Sequence, residues 1–108
     1  MVQGTVTPGR CDLAPTALRT VLKRIGRYDI EAVRELRSRI NDGGDVDLAG
    51  LPIEVGTPLT EAAATPLIAN HALTLLIGGH NGITRPGVRA MATALHLPLD
   101  QIGLITID

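Results

Sequence analysis

Apolar positions follow two rhythms along the chain, and the change between them divides it. In the first part, Leu18, Val21, Leu22 and Ile25 are spaced by three and four, the period of a helix with one buried stripe. That spacing predicts a helix starting near Asp12 as its cap, with Pro15 in the first turn and Gly26 ending it. Arg19, Lys23 and Arg24 then fall on its solvated side. Ile30, Val33, Leu36 and Ile40 repeat the period and predict a second helix from Asp29 to Ile40, stopped by "NDGG". A short strand is expected at Val46–Leu48, and an alanine-rich helix over 58–71, broken or kinked near Thr65 by Pro66. The rhythm then changes: "ALTLLI", residues 72–77, is a continuous apolar run of strand length, of the kind buried on both faces of a parallel sheet. "TRPGVRAMATALHL" reads as a helix with Pro86 early in it, capped by Asn81 or Thr84, and "IGLITID", residues 102–108, as a second strand. Strand, loop, helix, strand is the βαβ unit that a parallel sheet requires.

Composition narrows the picture. A chain of 108 residues has room for one modest core, and 44% hydrophobic with 19% charged residues is the balance of a globular domain. No apolar run approaches the roughly 20 residues that span a bilayer, and "MVQGTVTPGR" lacks the basic start and apolar core of a secretory signal, so no membrane partner and a cytoplasmic location are expected. The single cysteine, Cys11, leaves no intramolecular disulfide to form and reads as an inert thiol. A net charge of -1 and a single aromatic residue, Tyr28, argue against nucleic acid, which requires a basic face and stacking platforms. His71 and His96 read as polar boundary residues, while Arg85 and Arg89 read as solvated.

The candidate chemistry sits in "GGHNG", residues 78–82, at the carboxyl end of the first predicted strand, the edge where open α/β sheets place ligands. Glycines at 78, 79, 82 and 87 with no following lysine fit neither phosphate-binding fingerprint, which excludes the common nucleotide loops. His80 offers an imidazole and Asp108, at the end of the next predicted strand, a carboxylate. Neighbouring parallel strands lie about 4.8 Å apart, so the two could converge on one ion. Two readings of His80 stay open: a metal ligand, or a histidine hydrogen-bonded to backbone at the strand end.

These residues carry a resemblance. "LTLLIGGHNGITRPGVRA" followed by "IGLITID" resembles the ureohydrolases, the arginase, agmatinase and formimidoylglutamase family, in which one strand ends in G-G-D-H-S and the next in D-A-H-x-D. "PTALR", residues 15–19, is similar to the P-x-A-[IL]-R of that family's first helix, and "GGDVDLAG", residues 43–50, to its aspartate-rich second strand. The resemblance runs from about Gly9 to Asp108 and implies a three-layer α/β parallel-sheet fold, here as a single partial domain over 1–108, truncated to its N-terminal portion. It implies a binuclear Mn2+ centre whose hydroxide attacks a guanidinium or formimino carbon, metal-assisted hydrolysis of a C–N bond in a linear small-molecule amidine. Within it, Asp108 matches the first aspartate of D-A-H-x-D, Gly78 and Gly79 match directly, His80 stands at the aspartate position, Asn81 at the ligand histidine, and Gly82 at the serine. Later family ligands have no counterpart in these residues, so the fragment is expected to be inactive, with formimidoylglutamate the first substrate candidate and arginine or agmatine next. An apolar last strand with an open edge implies self-association. The alternative is a non-catalytic α/β module acting through association.

Overall fold

The computed structural model describes residues 9–35, 37 and 39–105. After a 3-10 turn at Cys11–Leu13 come helix α1 (Ala14–Leu22), a two-stranded ribbon of β1 (Tyr28–Asp29) and β2 (Arg34–Glu35), and helix α2 (Ile53–Asn70). A second 3-10 turn, Asn81–Ile83, leads into helix α3 (Thr84–Leu95), and a third, Leu99–Gln101, follows it. The tertiary centre is the packing of α2 against α3. The buried residues all lie in these two helices: Gly56 and Ala64 in α2, Pro86 and Ala90 in α3. Apart from Pro86, the buried apolar side chains among the described residues are Ala64 of α2 and Ala90 of α3, while Gly56 lies under the Leu48 side chain. Among the described residues no helix is long and apolar enough to cross a membrane.

α1 forms over the first part of the predicted span, with Pro15 in the first turn, but it ends at Leu22 rather than at Gly26, leaving Ile25 outside the helix. Asp12 does not cap it. Its carboxylate is drawn back to Arg10 (Nη2–Oδ2 2.6 Å), and the chain enters the helix through the 3-10 turn instead. The apolar stripe is only partly covered, since Leu18 is half-buried but Val21 and Ile25 are exposed.

The helix expected over 29–40 is replaced by the antiparallel ribbon, in which Tyr28 pairs with Glu35 and Asp29 with Arg34. The cause is local. Asp29 Oδ1 accepts from the amides of Glu31 (3.1 Å) and Ala32 (3.0 Å), giving the backbone a turn to adopt in place of a helix. Val33 then takes a positive φ of 51°, which a helix does not allow. Leu36, one member of the predicted stripe, lies outside the described residues. The strand expected at Val46–Leu48 is irregular chain, held at its end by the Asp47 carboxylate accepting from the Ala49 amide.

α2 runs unbroken through both Pro58 and Pro66, against the expected break near Thr65. An interior proline removes a helix hydrogen bond at a cost of about 3 kcal/mol. Alanine-rich neighbours and the contact with α3 outweigh that local rule, and Asn70 Nδ2 donates to the Pro66 carbonyl near the helix end.

The apolar run after α2 forms no ladder among the described residues, where the only ladder is β1 with β2. Thr74, Leu76 and Ile77 are half-buried, while Leu73 and Leu75 are 87% and 73% exposed. Thr74 and Leu76 are held against the helices. Thr74 Oγ1 donates to the Leu67 carbonyl of α2 (3.3 Å), and the Leu76 side chain lies against Gly87 of α3. Leu73 and Leu75 are therefore bare, rather than the whole run being buried as expected. Residues 102–105 likewise form no ladder among the described residues, and the end of the predicted last strand, with Asp108, lies outside them.

Candidate functional site

Between the apolar run and α3 the chain passes through Gly78, Gly79, His80, Asn81 and Gly82. His80 has an extended backbone (φ -157°, ψ 170°) and opens the 3-10 turn Asn81–Ile83 that feeds α3. Its Nδ1 accepts from the Gly82 amide at 2.9 Å. His80 thus caps the 3-10 turn that leads into α3, while α3 itself, expected to be capped by Asn81 or Thr84, has no side-chain cap bond.

Two of the loop glycines are required by close approach. A Cβ at Gly79 would collide with the carbonyl and Cβ of Cys11, so the loop lies directly on the turn that starts α1. A Cβ at Gly82 would fall on the His80 ring. The glycine loop is therefore wedged between the entry of α1 and the entry of α3.

A second constellation ties α1 to the chain after the ribbon. Arg19 donates from Nε and Nη2 to Asp42 (2.6 and 2.9 Å) and from Nη1 to both oxygens of Asp45 (2.8 and 2.9 Å). Forked, bidentate pairing of this kind is the strongest geometry open to a guanidinium. The Arg19 hydrogen bonds, helped by the Gly44 amide, hold the Asp42 carboxyl down at about 2, and the two carboxylates push the guanidinium up. Helical period alone placed Arg19 on a solvated face. The signal that identified it was available: an arginine ending "PTALR" and paired aspartates in "NDGGD", opposite charges 23 and 26 residues apart.

Residues 2–108 match the family model described as Arginase family. The chain belongs to the Arginase family, which implies the ureohydrolase fold and makes this a ureohydrolase-type hydrolase by family. Neither the curated proteins nor the solved structures contain a match.

The family is generally dependent on two manganese ions. The described residues do not fit such a centre. Among them no group of three or more His, Cys, Asp and Glu is placed to hold an ion. In the observed loop one ring nitrogen of His80 is already engaged by the Gly82 amide, and an asparagine, Asn81, stands beside it. Asp108 lies outside the described residues.

Proposed function

We propose that this chain belongs to a hydrolase of C–N bonds in linear amidines, with formimidoylglutamate the preferred substrate class and arginine or agmatine next. Family membership across 2–108 is the observation that carries the reading. The glycine loop at the entry of α3 is the part of the site that these residues contribute, and Asp108 is its metal-ligand candidate. The reading gives residues 1–108 alone no turnover, because the described residues gather no three-ligand cluster. The test is release of formamide or urea by the natural gene product carrying this sequence, offered the three substrates with Mn2+, beside residues 1–108 alone. Hydrolysis by the former, reduced by Asp108→Asn, is the expected result. Absence of release from all three substrates overturns the assignment, and comparable turnover by residues 1–108 alone overturns their inactivity.

A second reading, a non-catalytic module acting through self-association in the cytoplasm, is favoured by one observation. Leu73 and Leu75 are bare on an apolar segment with no ladder partner among the described residues, and Ile105 is 89% exposed on another. Unpaired apolar chain of this kind is open to pairing between copies. Light scattering over a concentration series tests this reading: a monomer at all concentrations removes it.

A further inference from the structure

We propose that His80 and Gly82 form a coupled cap that shapes the entry to α3, and that His80 acts as a positioning residue of the glycine loop rather than as a ligand for a metal ion. A neutral imidazole has one nitrogen with a lone pair and one that carries the proton. Here the lone pair of Nδ1 is used by the Gly82 amide at 2.9 Å, so the proton sits on Nε2. A histidine that binds a metal through Nε2 donates its other ring N–H to an acceptor, the reverse arrangement. Capping and ligation through Nε2 are therefore mutually exclusive in this loop, and ligation through Nδ1 would take the same lone pair.

Gly82 is the other half of the device. Its φ is not in the left-handed region, so backbone freedom does not explain a glycine there. Space does: a Cβ would meet ring atoms Cε1 and Nδ1 of His80. The obstacle is the far end of a movable side chain, so a residue at 82 would displace the ring and leave the backbone in place. The three departures of "GGHNG" from G-G-D-H-S then make one substitution in physical terms. An acceptor at 80 bonds the amide at 82, a residue without a side chain at 82 makes room for its ring, and no imidazole remains at 81. The inference stands apart from the hydrolase assignment, since it concerns the loop and needs no turnover.

The test is ring-nitrogen NMR and amide exchange on the 108-residue chain. Wild type is expected to carry the His80 proton on Nε2, and addition of Mn2+ should broaden His80 no more than the remote His96. Gly82→Ala should keep the far-ultraviolet circular dichroism of wild type yet lose the fixed His80 tautomer. His80→Ala should speed exchange of the Gly82 amide by roughly two- to thirtyfold, the range set by loss of a side-chain cap. His80→Asn, which keeps a capping acceptor, should restore protection. A proton on Nδ1 in wild type, an unchanged tautomer in Gly82→Ala, or selective broadening of His80 by Mn2+ would each overturn the proposal. None of these readouts depends on substrate, so its failure and the failure of the hydrolase assignment are told apart.

Discussion

Replacing Gly79 by alanine tests whether the glycine loop is wedged against the entry of α1. The new Cβ would collide with the carbonyl oxygen, carbonyl carbon and Cβ of Cys11, none of which can swing aside without moving backbone. Inserting one carbon into a closed contact costs about 1–3 kcal/mol. For a domain of this size each 1 kcal/mol is worth about 4–8 °C in Tm, so Gly79→Ala should lower Tm by at least about 4 °C. Two sister variants calibrate the figure. Gly78→Ala meets the Ile83 side chain at 3.0–3.1 Å, where the neighbour must give slightly, and should cost less. Gly26→Ala meets nothing within 4 Å at a residue without positive φ, and should stabilise by about 0.4–1 kcal/mol through the unfolded chain. Thermal unfolding followed by circular dichroism gives the order Gly26→Ala above wild type, then Gly78→Ala, then Gly79→Ala. A Gly79→Ala variant as stable as Gly26→Ala would mean that the loop does not lie on Cys11.

Three further predictions concern the surroundings of the loop. The Asp42 carboxyl, held at about 2 by Arg19, supports the fold fully above the ordinary aspartate value of about 3.9 and loses that support as pH falls through its own value. Carboxyl NMR titration of an Arg19→Met variant should show Asp42 moving back up toward the ordinary range, and a titration unchanged from wild type would dissolve the clamp. His96 closes α3 in the left-handed conformation at φ 54°, a position that suits glycine. His96→Gly should therefore raise Tm, by the equivalent of up to about 1 kcal/mol, and a fall would contradict the cap geometry. Leu73→Lys with Leu75→Lys changes only the bare face, so monomer stability should stay within about 0.5 kcal/mol while any association seen by light scattering is lost. Association that survives the pair would place the contact elsewhere.

What was legible in the sequence was local, and what was not depended on partners distant along the chain. The stripe of Leu18, Val21 and Leu22 located α1, and Pro86 near the start of its helix located α3, because both signals lie within the element they specify. The segment 29–40 carried a helical period as clear as that of α1, yet Asp29 gave two amides an alternative acceptor and the ribbon formed. In α2 the error ran the other way: Pro66 is a sound local breaker, but the helix is held by α3, nearly thirty residues further on, and continues through it. The apolar run at 72–77 reads as a strand in the sequence but forms no ladder among the described residues, because an apolar run does not name its neighbours. The structure supplies helices for Thr74 and Leu76 and nothing among the described residues for Leu73 and Leu75.

The same division runs through the site. Its glycines stood out because turns and close approaches demand them, and both Gly79 and Gly82 are explained by what a Cβ would strike. The role of His80 was not decided by residue type, since an imidazole beside glycines is equally a ligand or a cap. What bears on it is which ring nitrogen faces the backbone: Nδ1 accepts from the Gly82 amide. Arg19 shows the converse: a charge assigned to solvent by its place on the helix is the anchor that joins α1 to Asp42 and Asp45. With Gly79 seated on the turn before α1 and Arg19 binding the chain after the ribbon, α1 is tied at one end to the glycine loop and further along to the aspartate loop. Displacing α1 would therefore disturb two of the segments that carry the family resemblance at once. That coupling gives the half-buried arginine a reason to be forked onto two carboxylates rather than left in water.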